Sequence, residues 1–160
     1  MTVGLIADTH AQLHPGVPRA FRRVERILHA GDVGSEAVLQ ELGQLAPVTA
    51  IHGNADPNAL QRRLPPYCVA RCGDVRVLLV HQAQADRAWL PEVCDLVAVE
   101  RAGVVVFGHS HLPYVALHDG VLFVNPGGAG RRRFRLRRSV AVLTLGHGQP
   151  RARLVWLDPE

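Results

Sequence analysis

The sequence predicts an α/β sandwich contained in one domain, and two observations support this fold class. Short apolar runs alternate with segments of helical character over the first two thirds of the chain. The last third instead carries apolar runs separated only by turns, which is typical of antiparallel strands. Because the chain has 160 residues and 48% of them are hydrophobic, it can bury one core, and we predict a single domain over residues 1–160.

The first part of the chain alternates between predicted strands and helices. Residues 2–7 form an apolar run too short for a helix, so a strand buried on both faces is expected. Residues 17–28 carry apolar side chains at helical spacing, which predicts an amphipathic helix. The run ILHAGD, residues 27–32, predicts a brief strand that overlaps the end of this helix. Ser35 is then expected to cap a helix that includes Leu45.

The middle of the chain repeats this alternation. Residues 48–54 (VTAIHGN) predict a strand, and Asp56 with the proline after it predicts a helix start at which Asp56 is the N-cap. Residues 75–81 (VRVLLVH) are rich in β-branched side chains and predict another strand. A helix is expected over residues 86–101, with a break near its proline, and residues 103–111 (GVVVFGHSH) are an apolar run that enters a turn.

Antiparallel strands are predicted to complete the chain. The dipeptide Asp119-Gly120 is a hairpin signal between the first two of them. The four predicted strands are residues 114–118, 121–125, 139–145 and 151–157.

Composition limits where the protein works. The chain has no run of about eighteen uncharged apolar residues, so we expect no membrane-spanning helix. Its first residues lack the basic and long apolar segments of a secretory signal, and a cytoplasmic location is therefore expected. Cys68, Cys72 and Cys94 are an odd number for a disulfide framework, so they are predicted to be reduced, buried or partly buried thiols.

The net charge is +4, and much of the excess lies in Arg131–Arg138, which we call the basic segment. Six of its eight residues are arginines. A charge run alone is weak evidence of function, so a solvated loop is the favoured interpretation. The alternative is a patch that contacts phosphate groups or nucleic acid.

Side chains of the types that bind metals follow five of the apolar runs. In an open α/β sheet, the loops at the carboxyl ends of the strands form the ligand crevice, so we expect these side chains to meet at one edge. Two carboxylates, one amide oxygen and four imidazoles suit Mn²⁺, Fe or Zn²⁺ and are too rich in nitrogen for Ca²⁺ or Mg²⁺. In chain order the seven residues are Asp8, His10, Asp32, Asn54, His81, His109 and His111.

The order of these motifs resembles the calcineurin-like metallophosphoesterase superfamily. The chain has D-x-H, then GD, then GN, then a lone His after a strand, then GHxH. The short length, the form GNAD and the NPGG near residue 125 are similar to the small bacterial and archaeal phosphodiesterase branch. The resemblance runs from residue 3 to about residue 145 and implies an αββα-type sandwich with two mixed β-sheets. It also implies a metal site at the C-terminal ends of the strands.

The resemblance further implies two divalent metal ions, with Mn²⁺ expected and Ni²⁺, Fe or Zn²⁺ as alternatives. A bridging water or hydroxide would attack a small phosphate ester, most often a phosphodiester. The family pattern assigns one ion to Asp8, His10, Asp32 and His111. It assigns the second ion to Asp32, Asn54, His81 and His109.

The chain departs from its relatives at two positions. Larger phosphatases of the superfamily have a histidine after the Asn of GN, where this chain has Ala55. Protonation of the leaving group is then left to water, a metal-bound group or another histidine. Close relatives often have HGH where this chain has His81-Gln82-Ala83, which alters the rim of the site.

Four further residues are predicted to lie near the site. His29 precedes a Gly-Asp turn and is expected to pack behind the ligands, and His14 is expected at the mouth of the site. Asn125 and Gly127 belong to a turn that the resemblance places close to substrate.

Two other functions are open at this point. A protein-binding scaffold is one, because the retromer subunit that shares this fold acts by protein contact and lacks several ligand histidines. The seven competent ligand positions of this chain argue for chemistry instead. A nuclease is the other, supported only by the basic segment. Apolar strands in the last third of the chain could also pair subunits in a homo-oligomer.

Overall fold

The computed structural model describes residues 1–132 and 135–158. Four helices occur in this part of the chain: α1 Val17–Ala20, α2 Glu36–Gly43, α3 Asn58–Arg63 and α4 Pro91–Glu100. The strands in the same residues are β1 Thr2–Ile6, β2 Arg26–His29, β3 Val48–Ala50, β4 Tyr67–Cys72, β5 Val75–Val80, β6 Gln84–Ala85, β7 Ala88–Trp89, β8 Val104–Val106, β9 Tyr114–His118, β10 Val121–Asn125, β11 Ser139–Thr144 and β12 Arg151–Trp156.

Ten of these strands form two mixed sheets of five, which confirms the predicted architecture. The first sheet has the order β12-β11-β1-β2-β3, with β1, β2 and β3 parallel and the other pairs antiparallel. The second has the order β4-β5-β8-β10-β9, with β5, β8 and β10 parallel and both edge strands antiparallel. Strands β6 and β7 pair only with each other, as a short ribbon.

The core consists of three layers of apolar side chains. The central layer lies between the two sheets and includes Val3, Leu5 and Val106. A second layer packs the outer face of the first sheet against α1, α2 and α3, and a third packs the outer face of the second sheet against α4. Val3 and Leu5 point to the central layer whereas Ile6 points to the helices, so β1 is buried on both faces. This double burial explains its uninterrupted apolar sequence.

The carboxyl ends of the central strands of both sheets meet at one edge of the sandwich. Nδ1 of His81, which follows β5, donates to the carbonyl of Ala30 after β2 at 2.8 Å. The backbone N–H of His109, which follows β8, donates to the carboxylate of Asp8 after β1 at 3.1 Å. The loops that carry the predicted ligands are therefore in direct contact across the two sheets.

The helix predicted over residues 17–28 is wrong in length. Helix α1 has only four residues, and β2 begins at Arg26. Residues 26–29 pair in parallel with residues 3–6 of β1, and Leu28 is fully buried in the central layer. Pairing with β1 therefore overrides the helical spacing of these residues, because a continued helix could not complete the buried parallel sheet.

The helix predicted over residues 86–101 begins later, at Pro91. Proline has no N–H to donate and suits the first turn of a helix, so it marks the start of α4 and not a break within it. Before it, Asp86 and Arg87 take left-handed φ angles of 49° and 68° and turn the chain between β6 and β7. Ser35 does precede α2 as predicted, but its side chain makes no capping hydrogen bond.

Strand β4 was not predicted. Its signal is a period of two, because Cys68, Ala70 and Cys72 face the central layer while the residues between them are more exposed. Two of the thiols are buried or half-buried as predicted, but Cys94 is exposed on α4, which corrects that part of the prediction. Within the described residues, no helix has the length and apolar character needed to cross a bilayer.

Replacing Phe21 by Ala should destabilise the fold strongly. The ring is 1% exposed and lies against Gly4 of β1, where a Cβ would approach the ring to 3.0 Å. We expect the free energy of unfolding to fall by about 3–5 kcal/mol, measured by urea denaturation. Val99→Ala is the control, because Val99 is 77% exposed and its truncation should change stability by less than about 0.5 kcal/mol. Equal effects of the two changes would contradict this account of the core.

Candidate metal centre

The structure brings all seven predicted ligand residues together at the edge where the sheets meet. Asp8 and His10 follow β1, Asp32 follows β2, and Asn54 lies in the loop after β3. His81 follows β5, and His109 and His111 follow β8. The contacts among these side chains divide them into two neighbouring groups.

The first group contains Asp8, His10 and His111, whose ligand atoms all lie within 4.8 Å of one another. The Nε2 atoms of the two histidines are 3.2 Å apart, and their rings stack with centroids 5.1 Å apart. Nε2 of His111 lies 3.6 Å from Oδ1 of Asp8, which is fully buried.

The second group surrounds the amide oxygen of Asn54. Oδ1 of Asn54 lies 3.0 Å from Nε2 of His81 and 2.9 Å from Nδ1 of His109. Oδ2 of Asp32 lies 3.3 Å from Nε2 of His81 and 3.8 Å from Nε2 of His10. Asp32 thus connects the two groups, and Asp8 also lies close to the second, because ligand atoms of Asp8, Asp32 and His81 are within 4.8 Å of one another.

The donor set fits a metal ion, because electron-pair donors converge there. The Nδ1–H of His81 donates to Ala30, so Nε2 of the neutral ring carries a lone pair. That lone pair faces Oδ1 of Asn54 and Oδ2 of Asp32, neither of which has a proton to donate. Either a proton or a cation has to lie among such atoms to offset their repulsion, and imidazoles with carboxylates suit Mn²⁺, Fe or Zn²⁺.

Without a metal, the surroundings of His81 favour its protonated form. Burial lowers the pKa of His81, but the hydrogen bonds to Asp32 and Ala30 outweigh burial and raise it. Burial raises the pKa of Asp32, but His81 and the N–H of Ala55 outweigh burial and lower it to about 2. The Asp32 carboxylate is therefore ionised at neutral pH and remains available to a cation.

Five of the seven residues have left-handed backbone conformations, which are rare outside glycine. Their φ angles lie between 46° and 69°. Each such residue costs on the order of 1–3 kcal/mol, and residues of this kind cluster at functional sites. The five residues are Asp8, His10, Asp32, His109 and His111.

Two glycines make room for the buried carboxylates. A Cβ on Gly53 would overlap the Asp32 carboxylate, and a Cβ on Gly108 would lie 2.8 Å from Oδ2 of Asp8. Neither site tolerates a side chain while the carboxylate keeps its position. The glycines in the GN and GH motifs are therefore required by close approach of the backbone to the site.

His29 packs behind the ligands, as expected from the sequence. Its Nδ1 accepts the N–H of Gly31 at 3.2 Å, and its Nε2–H donates to Oγ1 of Thr9 at 2.9 Å. The Thr9 hydroxyl in turn donates to the carbonyl of Val33 at 2.9 Å. This chain of hydrogen bonds joins the loop that carries Asp8 to the loop that carries Asp32.

Asp56 was predicted as a helix N-cap, and the structure corrects this. Pro57 is the N-cap residue of α3. The Asp56 carboxylate, 4% exposed, instead accepts the N–H of Gly34 at 2.6 Å and the N–H of Gly53 at 2.8 Å. It therefore ties the Asp32 turn to the Asn54 turn. Because Gly34 is distant in the sequence, only the position of Asp56 just after the GN motif could have indicated this role.

Asn125 and Gly127 support the GHSH loop from below. The Asn125 amide donates to the carbonyl of Gly108 at 3.0 Å and to Oγ of Ser110 at 3.1 Å. Its Oδ1 accepts the N–H of Gly127 at 2.9 Å. Asn125 is fully buried, and these hydrogen bonds show that its side chain positions the loop.

His14 is oriented towards the chain's last described residues. Its Nδ1 accepts the N–H of Gly16 at 2.9 Å, and its Nε2 lies 3.7 Å from Oδ1 of Asp158. Asp158 also receives a close hydrogen bond of 2.6 Å from Arg138. We therefore find His14 engaged in this ion-pair cluster, and no contact with the seven ligand residues is seen in the described part of the chain.

The basic segment reaches the site from the side of His111. Arg131 and Arg138 line a small depression together with His111. Arg138 is paired with Asp158, whereas Arg131, Arg132 and Arg135 are exposed. Arg133 of the predicted segment lies outside the described residues.

The burial of His29 predicts a specific pH dependence of stability. Burial lowers its pKa from 6.5 to about 3, so it stays neutral in the folded protein. Between these values the unfolded chain binds a proton that the folded chain does not, and stability is lost as the pH falls. In metal-stripped protein, His29→Gln should therefore lose less stability than the parent between about pH 7 and about pH 5. Urea denaturation at several pH values measures this loss. His147 is exposed, so His147→Gln is the control and should behave as the parent. If His29→Gln and the parent lose the same stability over this range, His29 is not the group responsible.

Removing the Asp56 carboxylate should loosen both turns that it joins. Asp56→Ala leaves two inward N–H groups without their acceptor, which we expect to reduce the free energy of unfolding by about 2–4 kcal/mol. Metal affinity should fall about 10–100-fold, as found when groups that orient ligands are lost. Calorimetric titration with Mn²⁺ measures this, with the exposed Asp74→Ala as control. Unchanged affinity in a folded Asp56→Ala variant would refute the positioning role.

Known proteins share both the sequence pattern and the fold. The profile of the calcineurin-like phosphoesterase superfamily domain matches residues 1–148. A probable metallophosphoesterase of Methanothermobacter thermautotrophicus is 34% identical over 132 residues, covering 79% of this chain and 76% of that protein. A phosphodiesterase of Methanocaldococcus jannaschii is 26% identical over 147 residues, covering 79% of this chain and 83% of that protein.

Solved structures agree at the level of the fold. A predicted phosphoesterase from Streptococcus pneumoniae superposes with a TM-score of 0.78 at 20% identity, covering 99% of this chain and 91% of that chain. Vps29 from Entamoeba histolytica, solved with Zn²⁺, gives 0.75 at 20% identity, covering 99% of this chain and 100% of that chain. The resemblance inferred from the five motifs is confirmed: the chain belongs to the calcineurin-like phosphoesterase superfamily, among its small archaeal and bacterial metallophosphoesterases.

Proposed function

We propose that the protein hydrolyses phosphate esters, with phosphodiesters preferred, at a centre of two divalent metal ions. The observation that carries this proposal is the convergence of seven metal-binding side chains from five strand ends. The strained backbone at five of them supports it, because such conformations persist where function requires them. The relatives named as metallophosphoesterase and phosphodiesterase point to the same chemistry.

The two groups of side chains suit two ions. Asp8, His10 and His111 would hold one ion, and Asn54, His81 and His109 would hold the other. Oδ2 of Asp32 lies within 3.8 Å of histidine nitrogens from both groups, and we propose that its carboxylate would serve both ions. Mn²⁺ is the expected metal, and Ni²⁺, Fe and Zn²⁺ are alternatives that the same donors accept.

The residues of the chain prepare the site before substrate arrives. When bound, two such ions neutralise the negative oxygens of the ester and make a water molecule acidic enough to act as nucleophile. The buried carboxylates of Asp8 and Asp32 and the anchored ring of His81 keep the ligand atoms in place. This preorganisation means that little rearrangement accompanies the reaction.

The side chain at position 55 affects which esters are good substrates. Ala55 offers no group that could protonate a leaving oxygen, and its N–H is already donated to Oδ1 of Asp32 at 2.8 Å. Esters with stable leaving groups do not need such a proton. We therefore expect activated diesters to be cleaved faster than alkyl esters.

Metal reconstitution tests the proposal directly. Metal-stripped protein should hydrolyse bis-p-nitrophenyl phosphate only after Mn²⁺, Ni²⁺ or Zn²⁺ is added, and Mg²⁺ should restore much less. Asn54→Ala removes the oxygen nearest to two histidines, so we expect at least a hundredfold loss of kcat/KM.

The control for this experiment is His147→Ala, because His147 is exposed and remains outside the site. It should keep the parent's activity. If the parent binds two equivalents of metal but cleaves neither this diester nor p-nitrophenyl phosphate, the proposed preference for simple phosphate esters is wrong. If it binds no metal, the hydrolase is excluded and a scaffold function replaces it.

A nuclease is the second candidate, favoured by the basic segment beside His111. Three of its arginines are exposed, and Arg131 lines the depression next to His111. Nucleic acid held in this way should bind with an affinity that falls steeply as salt rises. Fluorescence anisotropy with a labelled oligonucleotide measures this, and Arg131→Ala with Arg132→Ala should lower the salt slope. A flat salt dependence would exclude nucleic acid as the substrate.

A further inference from the structure

A cleft adjoins the metal centre on the side of Asn54 and His81. Its volume is about 400 Å³, within the range of about 300–1,000 Å³ typical of small-molecule sites. Asn54 and His81 belong both to its wall and to the ligand set, so the cleft opens directly onto the proposed phosphate position. The seven ligand residues themselves do not account for the rest of its lining.

The rest of the lining is mostly apolar. Tyr67 at the start of β4, Leu90 before α4, and Val93 and Leu96 on α4 provide aliphatic and aromatic surface. Tyr67 is 45% exposed, so its ring is accessible to a ligand in the cleft. These side chains offer a face on which a flat group can stack.

The cleft and the depression beside His111 differ in the charge of the side chains that line them. Glu92 is the one formally charged side chain that lines the cleft in the described residues, and no arginine does. The depression beside His111 is lined instead by Arg131, Arg137 and Arg138. A phosphate group is disfavoured in a cleft with a carboxylate and no cation, whereas an uncharged group is not.

Polar side chains at the edges of the cleft complete its chemistry. His52, Gln61 and Gln82 lie among the lining residues and can exchange hydrogen bonds with a ring that carries donors and acceptors. An apolar pocket with a few polar groups is the arrangement that orients a heterocyclic ligand.

We propose that this cleft binds the organic group of the ester, an uncharged heterocyclic ring of the nucleobase type, stacked on Tyr67. The inference rests on the proposed function, because the metal centre supplies the phosphate position from which the ring extends. It names a substrate class, nucleoside phosphate esters, that the metal ligands alone do not define. The arginines near His111 then face the opposite side of the phosphate.

Equilibrium binding tests the cleft independently of turnover. Mn²⁺-loaded protein is titrated by calorimetry with adenosine 5′-monophosphate and with methyl phosphate, which share the phosphate but not the ring. We expect the nucleotide to bind at least about tenfold more tightly, because base–aromatic stacking alone supplies such a factor.

Variants at Tyr67 separate stacking from a general loss of structure. Tyr67→Ala should reduce the preference for the nucleotide about tenfold and leave methyl phosphate binding unchanged. Tyr67→Phe keeps the ring and should keep the preference. Leu117→Ala is the matched control, because Leu117 is 49% exposed on the edge strand β9 and does not line the cleft.

The outcomes distinguish this inference from the proposed function. Hydrolysis of bis-p-nitrophenyl phosphate by the same preparation tests the metal centre. If hydrolysis is metal-dependent but the two phosphates bind equally, or if Tyr67→Ala retains the nucleotide preference, the cleft assignment is wrong and the hydrolase stands. If protein that carries two metal ions neither hydrolyses the diester nor binds either phosphate, both are wrong.

Discussion

Burial of the Asp32 carboxylate is the constraint on which the rest of the site depends. The side chain is 4% exposed, so water cannot solvate its charge. A buried carboxylate is retained only where other groups compensate for lost hydration. Here the N–H of Ala55 donates to one oxygen, and His81 and His10 approach the other. These partners come from three different loops, so keeping the charge ionised requires the sheets to meet at this edge.

The same constraint explains why the loops are tightly built. Left-handed backbone at Asp8 and Asp32 aims both carboxylates inward, and glycines beside them leave no side chain in the way. The cost is offset by hydrogen bonds that run between loops, through His29 and Thr9 on one side and Asp56 on the other. Stability and site geometry are therefore coupled, since these hydrogen bonds join neighbouring loops to one another.

The fold also gives the site two unlike sides. Because β5 leads into His81 and α4 packs on the same sheet, apolar residues of α4 lie beside one group of ligands. The basic segment precedes β11 of the other sheet and lies beside His111. A substrate with a neutral ring on one side of its phosphate and negative charge on the other would match this polarity. The metal ligands determine the reaction, and the two sides of the site determine which substrates bind.

The sequence by itself determined most of the buried strands and the chemistry at their ends. Strands such as β1 and β8 are buried on both faces, so they appear as short apolar runs, and a metal-binding residue follows shortly after each run. Local signals of this kind survive without knowledge of the rest of the fold. They gave the fold class, the family resemblance and the seven residues that the structure brings together.

Only the tertiary structure decided which segments became strands and which polar groups support the site. The helical spacing of residues 17–28 yielded to pairing between β2 and β1, and β4 formed because β5 offered it an edge. Asp56 looked like a helix cap because one of the N–H groups that it accepts belongs to Gly34, which is 22 residues away in the sequence. The cleft beside His81 likewise joins β4 to α4. Each of these features depends on contacts between residues that are distant in the chain. Local sequence patterns cannot predict the energies of such contacts.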